Sequence, residues 1–206
     1  MGVTIHYAVG MQSGRVKPTL DRAQAVGEEM KREQAIALAV PFSVRRPSEN
    51  NLLIDIGGCE TLAFEFNTFE SFRKTGSDGQ SAWSYEQSVL ARTFDTRVLT
   101  DKGIRWTAAF CKTQFANALA EHRWVAELIR GVASVAEYAH VYDEGDFYHT
   151  RNIEDAASTI HQNGMLIDAL GGKLSGIMGG DVKIVRGGET KIKPLKKQSA
   201  EDLSFN

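Results

Sequence analysis

The chain has 206 residues, of which 42% are hydrophobic and 24% are charged, a composition typical of an ordinary globular protein. Its formal net charge of −2 argues against a general nucleic-acid binder, which normally carries a basic excess. Cys59 and Cys111 form no CxxC pattern, so we expect a reduced, cytoplasmic setting without a disulfide framework. The longest apolar run, residues 35–44, is too short to cross a membrane, which predicts a soluble protein.

The first predicted strand comes from alternation at the start of the chain, where the apolar positions are Val3, Ile5, Tyr7 and Val9. A period of two residues indicates a half-buried strand. We expect a loop at residues 10–14 and then a helix over residues 19–34. Pro18 can open this helix because its missing N–H is not needed in the first turn. Gly27 weakens the helix and allows close packing.

Two more strands are predicted at residues 51–56 and 61–66, joined by a short turn through Gly57 and Gly58. Residues 67–100 show no clear periodicity, and we interpret them as an insertion. The alternating pattern returns over residues 104–110, which predicts another strand.

The clearest helical pattern covers residues 115–136, with His122 on its apolar stripe. A short strand at residues 138–142 and a loop at residues 143–149 follow it. Asn152 can cap a third helix that ends at Gly171 and Gly172. Beyond it, residues 182–185 and 189–193 can pair as a small hairpin.

Several consecutive strands favour antiparallel pairing, so the sequence predicts an α+β fold with a mainly antiparallel sheet and helices on one face, in two layers. We expect one α+β domain over residues 1–175, and a Gly/Lys-rich hairpin with a flexible tail over residues 176–206. The other face of the sheet must meet water, a ligand or another subunit. The polar positions on that face are Thr4, His6, Asp55, Glu65, Arg105, Thr107, His140 and Tyr142.

The segment of residues 140–149 concentrates groups that can bind a divalent metal. We name His140, Asp146 and His149 as candidate metal ligands. Their spacing matches no established metal motif, and the alternative is a solvated turn whose carboxylates cap the following structure.

His122 is expected to point into the core, where an inward-facing histidine is often only hydrogen-bonded to a neighbour. If the loop after residue 142 folds back, Asp143 or Glu144 would orient the ring. On that hypothesis His122, Asp143 and Glu144 are candidate catalytic residues.

Lys112 and Gln114 lie where a strand passes into a helix, so they are candidates for binding an anionic cofactor or ligand. The alternative is ordinary helix entry, with Thr113 or Gln114 as the cap. Cys111 is expected on the strand face opposite Phe110, and no neighbour in sequence activates it.

Four stretches taken together carry a resemblance: VTIHY (residues 3–7), CETLAFEF (59–66), FCKTQFA (110–116) and VYDEGDFY (141–148). They resemble an uncharacterised family of small bacterial and archaeal proteins of unknown function. The resemblance implies a shared fold and a shared site, without an assigned reaction. The positions it singles out are Glu60, Lys112, Gln114, His122, Asp143 and Glu144.

These observations favour a ligand-binding or protein-interaction protein with a polar pocket or an open sheet face. The expected partners are a second copy of the chain, through the open face or an exposed Trp124, or a small-molecule ligand. Nucleic acid and membrane partners are disfavoured. The alternative is a small-molecule hydrolase, either metal-dependent or based on His122 and the adjacent carboxylates.

Overall fold

The computed structural model describes most of the chain up to residue 159 and short segments after it. The described residues are 3–37, 41–75, 81–113, 118–159, 161–162, 165, 181–184 and 190–193. The chain divides into two compact units, of which residues 2–160 form the larger and residues 161–206 belong to the smaller. The domain boundary predicted after residue 175 lies outside the described residues.

The first strand, β1 (Val3–Gln12), runs directly into the helix α1 (Ser13–Ala37). The loop predicted at residues 10–14 is therefore wrong. Gly10 belongs to the strand and is required there by packing, since a Cβ atom would lie 2.4 Å from the Trp106 ring. The Ser13 amide donates to the Gly103 carbonyl oxygen at 2.8 Å, which fixes the point where the strand ends. Pro18 lies inside α1 rather than at its first position.

Three strands form one antiparallel sheet in the order β2 (Phe42–Ser48), β3 (Asn51–Ile56) and β4 (Leu62–Glu65). The last two were predicted, whereas β2 was not. Gly27 of α1 packs closely on this sheet, as expected. A Cβ atom there would lie 3.3 Å from side-chain atoms of Val44 and Ile54.

The region without periodicity contains several short elements. A 3-10 helix (Phe69–Phe72) is followed by β5 (Arg73–Thr75) and β6 (Ser81–Trp83), which pair with each other. Two helices follow, α2 (Tyr85–Thr93) and α3 (Thr96–Leu99). The Ser84 hydroxyl caps α2 and the Asp95 carboxylate caps α3, each accepting a backbone N–H of the first turn.

The second half of the larger unit contains β7 (Ile104–Thr113), α4 (Ala118–Ala133), β8 (Tyr138–Asp143) and α5 (Phe147–Thr150). β1 pairs antiparallel with β7 on one side and with β8 on the other. Residues 153–159 are helical, and the Asn152 side chain accepts the Glu154 amide at 3.0 Å, as its predicted capping role requires.

The two three-stranded sheets meet along β4 and β7. Isolated bridges join Asn67 to Trp106 and Cys59 to Thr113, one near each end of the contact. Between them the Glu65 amide donates to the Thr107 hydroxyl at 3.1 Å. Because β4 and β7 lie side by side where the two sheets join, the outer edge strands of the combined layer are β2 and β8.

The main core lies between the sheets and the helices α1 and α4. A smaller buried cluster on the other face of the β7–β1–β8 sheet includes Leu90 of α2, Leu99 of α3 and Trp106. The α+β class with antiparallel sheets is thus confirmed. The second sheet face is more covered than the sequence suggested, because α2 and α3 pack over one end of it.

The smaller unit contains β9 (Asp181–Ile184) and β10 (Thr190–Lys193), which pair antiparallel as the predicted hairpin. The predicted end of the third helix at Gly171 and Gly172 lies outside the described residues. Among the helices of the described segments, none combines the length and apolar character that crossing a bilayer requires.

Candidate functional site

His122 and Asp143 form a buried pair between α4 and the end of β8. The ring atom Nε2 lies 3.2 Å from the Asp143 carboxylate oxygen Oδ2, and both side chains are 0% exposed. An ionised carboxylate can only accept a hydrogen bond, so Nε2 carries the proton and donates it. The sequence left open whether the turn after β8 folds back toward His122, and in the structure Asp143 lies against the ring.

Thr113, at the end of β7, holds the other side of the imidazole. Its hydroxyl oxygen lies 2.6 Å from Nδ1 of His122 and 3.2 Å from the carbonyl oxygen of Val3. The hydroxyl has one proton, which it donates to Nδ1 of a neutral ring, or to Val3 when Nδ1 is itself protonated. In either state both ring nitrogens have a partner inside the protein.

Asp143 also organises the turn that follows β8. Its carboxylate accepts the Gly145 amide at 2.8 Å and the Tyr148 amide at 2.8 Å. Burial tends to raise the pKa of Asp143, but the hydrogen bonds from His122 and the two amides outweigh it and hold the pKa below its ordinary value. The turn includes Asp146 in a left-handed conformation, with φ of 59°.

Gly145 closes the turn over the imidazole ring. A Cβ atom at this position would lie 2.8 Å from Nε2 of His122 and 3.1 Å from a Val3 methyl carbon. This close approach leaves no room for a substrate at the ring. The pair therefore lacks the access that general acid–base catalysis needs. Its contacts instead link α4 to β1 and β8.

Of the other predicted catalytic and ligand-binding residues, Glu144 and Lys112 have partners away from the buried pair. The Glu144 carboxylate accepts the Thr4 amide at 2.9 Å, which extends the contact of β8 with β1. Lys112 pairs with Glu60 at 3.6 Å, and its ammonium lies 5.5 Å from the centre of the Phe110 ring. Gln114 lies outside the described residues.

The predicted metal ligands are not assembled into a site. His140 is exposed on β8, whereas Asp146 and His149 are exposed at α5. The described part of the chain contains no group of three or more histidine, cysteine, aspartate or glutamate side chains placed to hold a metal ion.

Cys111 is buried and Cys59 is partly buried, and no described basic group lies beside either thiol to activate it. Cys111 faces the main core, opposite Phe110 as expected, and burial raises its pKa to about 12. Cys59 lies 3.9 Å from the Glu121 carboxylate, and burial raises the pKa of this thiol as well. Both side chains therefore stay thiols at neutral pH, which makes them poor nucleophiles.

An aromatic row crosses the partly covered end of the β7–β1–β8 sheet. His6 of β1 is paired in register with Phe110 of β7 and Tyr142 of β8, and the ring centres are 5.9 and 6.1 Å apart. The Tyr85 hydroxyl, from α2, lies 3.1 Å from Nδ1 of His6. Tyr142 stands 57% exposed. His6 and Tyr142 belong to the sheet face that the sequence identified as polar. The prediction is wrong for β7, because the register puts Phe110 on this face and puts Arg105 and Thr107 on the opposite one.

The outer edge strand β2 carries the features that protect sheet edges from pairing with other chains. It contains Arg45, Arg46 and Pro47, and its register with β3 shifts between Arg45 and Ser48. Charged side chains, proline and bulges are the common protections of an edge strand. Arg45 is further held by Asp55 of β3 at 3.0 Å.

The opposite edge strand, β8, has none of these protections. Its six residues read YAHVYD, without proline, lysine or arginine, and its one charged residue, Asp143, points into the core. Its ladder with β1 runs from Tyr138 to Asp143 without a register shift. Within the described ranges β8 pairs only with β1, and no other described strand lies along its outer side.

Sequence reasoning missed several parts of the buried network and misplaced one aromatic residue. Thr113 was considered only as a helix cap, and Gly145 was not considered. Trp124, expected to be exposed, is partly buried against the main core. The signal for Thr113 was its alternation with Cys111 along β7, since both point toward the face that α4 covers.

Comparison with models of known protein families, with curated proteins and with solved structures finds no match. This result is consistent with the resemblance to an uncharacterised family. It gives no support to the bacterial or archaeal origin that the resemblance implied.

Proposed function

We propose that this chain is a protein-interaction module that forms a homodimer by pairing β8 with β8 of a second copy. The observation that carries the proposal is the contrast between its two edges, since β2 is protected and β8 is not. An unprotected, straight edge strand is a template for the addition of another strand.

β8 can pair with its own copy about a twofold axis. In an antiparallel pair related by a twofold axis, each residue meets its counterpart on the partner through the same set of contacts. Placing either His140 or Val141 on the axis keeps like faces together, because side chains alternate with a period of two. The aromatic row would then continue from Tyr142 into the partner subunit.

The buried network supports this role by fixing the strand in advance. Asp143 and the turn after it are held by His122 and by backbone amides, and Glu144 binds the Thr4 main chain. A strand that is already ordered loses less conformational entropy when it pairs, so more of the interaction energy contributes to association.

Sedimentation velocity over a range of protein concentrations tests the proposal. The wild-type chain is expected to sediment as a dimer that dissociates on dilution. Tyr142→Lys places a charge on the edge strand and is expected to give a monomer whose melting temperature matches that of the wild-type chain diluted to monomer. Tyr85→Lys is the matched control, because Tyr85 is also partly exposed but lies on α2, away from the edge.

The two variants separate edge pairing from docking on the aromatic face. A dimer that Tyr142→Lys breaks and Tyr85→Lys leaves intact supports pairing through β8. Equal loss in both variants would point to the sheet face instead. A wild-type chain that is monomeric at every concentration would refute the proposed function.

A further inference from the structure

A groove runs between α1 and α4, away from the buried pair. Its volume is about 410 Å³. Sites for small molecules usually enclose between about 300 and 1,000 Å³. The groove differs from the pocket expected from the sequence, because neither Lys112 nor His122 lines it.

Apolar groups form most of the groove wall. Pro18 and Val26 of α1 face Leu128 of α4, and Val26 is 37% exposed although it is a large hydrophobic residue. Two glycines widen the groove. A Cβ atom at Gly14 or at Gly131 would meet nothing within 4 Å. The chain thus leaves an accessible apolar surface where side chains could have filled the space.

The charges at the groove are paired with one exception. Arg15 binds the Glu137 carboxylate at 2.9 Å, and Glu127 accepts a hydrogen bond from Arg130 at 2.6 Å. Arg22, on the groove wall, forms no hydrogen bond or ion pair with any described residue. Among the described residues this guanidinium therefore has no direct partner, and it lies beside an apolar surface.

We infer that this groove binds a small amphipathic molecule that carries one carboxylate. The apolar body lies on Pro18, Val26 and Leu128, and the carboxylate accepts hydrogen bonds from Arg22. A guanidinium presents its donors in a fork that matches a carboxylate, which makes arginine the better partner for this group. An ammonium head would meet the positive charge of Arg22, so we expect cationic amphiphiles to bind more weakly.

The test is an NMR titration of the backbone amides with three eight-carbon probes: octanoate, octan-1-ol and octylammonium. Octanoate is expected to shift amides of α1 and α4 around the groove in a saturable way. Octylammonium is expected to bind at least about tenfold more weakly, because a charge-assisted hydrogen bond is replaced by repulsion.

Three variants sharpen the test. Arg22→Gln is expected to weaken octanoate about tenfold and to leave octan-1-ol unchanged. Gly131→Leu is expected to fill the groove and weaken both probes. Arg97→Gln is the matched control, because Arg97 is an exposed arginine on α3 and binds only Asp95. It is expected to bind octanoate like the wild type.

Several outcomes would overturn the inference. They are shifts centred outside α1 and α4, equal binding of octanoate and octylammonium, and an Arg22→Gln variant with wild-type affinity. Arg22 is exposed, so that variant remains informative even if Gly131→Leu fails to fold. Repeating the titration with Tyr142→Lys separates this inference from dimerisation, since octanoate is expected to bind that variant equally well.

Discussion

The two edge strands of this protein are each fastened by an aspartate, in opposite environments. Asp55 lies on β3, next to β2, and accepts hydrogen bonds from Ser43 and Arg45 of β2 and from Thr61 on a surface that water reaches. At β8, Asp143 is sealed from water with His122. The partly exposed aspartate holds the edge strand that arginines and a proline protect. The buried one ends the edge strand that lacks such residues.

This difference separates two ways of ending a sheet. At β2 the charged side chains lie on the strand itself. They stay hydrated there and oppose pairing with another strand. At β8 the Asp143 carboxylate is drawn into the core, which orders the strand, and no second strand of the described residues pairs with its outer side. A strand arranged in the second way is suited to pairing, and this is the physical basis of the proposed dimer.

The largest effect is expected from removing the buried aspartate. Asp143→Ala leaves the His122 N–H and two turn amides without their acceptor inside the core. Breaking one side of a buried pair costs about 3–5 kcal/mol of the free energy of unfolding. Urea unfolding of the variant and the wild type measures this loss in the free energy of unfolding.

Asp55→Ala is the matched comparison at the other edge. It removes a partly exposed carboxylate and is expected to cost about 1 kcal/mol or less. Equal losses in the two variants would show that the two edges are fastened alike, which would end the contrast drawn above.

An intermediate effect is expected at Gly10, which lies opposite Tyr138 at the start of β8. In Gly10→Ala the new methyl group overlaps the Trp106 ring, and overpacking of this kind costs about 1–3 kcal/mol. Gly131→Ala is the control, because its methyl group meets no neighbour and alanine favours a helix by up to about 1 kcal/mol over glycine. Thermal unfolding should therefore move the two variants in opposite directions.

The smallest expected effect is on the stability of the protein at acid pH. Hydrogen bonds from Ser43 and Thr61 lower the pKa of Asp55, and the pKa of Asp143 is likewise lowered. A lowered pKa gives stability that is present above the ordinary aspartate value of about 3.9 and is lost as the pH falls through the folded-state value.

Replacing either aspartate by asparagine should flatten the acid side of the pH–stability profile. The flattening in Asp55→Asn is expected to shrink in 1 M salt, because solvent ions screen a surface site. The flattening in Asp143→Asn is expected to persist. Equal salt sensitivity of the two variants would argue that Asp143 is accessible to solvent.

Much of the fold follows from local pattern. The strict alternation from Val3 to Val9 identifies β1, and the stripe on α4 places His122 inward. β2 escaped prediction for the reason that makes it a protected edge, since Arg45, Arg46 and Pro47 conceal the strand pattern. The loop prediction for residues 10–14 was wrong because Gly10 leaves space for the Trp106 ring within the strand and does not form a turn.

The candidate site was predictable only in part. Helical spacing and a nearby acidic turn made a contact between His122 and Asp143 a reasonable hypothesis. Their burial depends on Gly145 and on Thr113 from distant elements, which spacing along the chain does not report. The groove of α1 and α4 arises from side chains that are absent, at Gly14 and Gly131, and an absence gives no periodic signal.

Hydrogen exchange of the β8 amides at two protein concentrations tests the central claim most directly. If β8 pairs with a second copy, its outward amides exchange quickly in dilute protein and become protected at high concentration, while β2 is unaffected. Outward β8 amides that exchange at the same rate at both concentrations, in a sample that spans the proposed dissociation, would contradict the account.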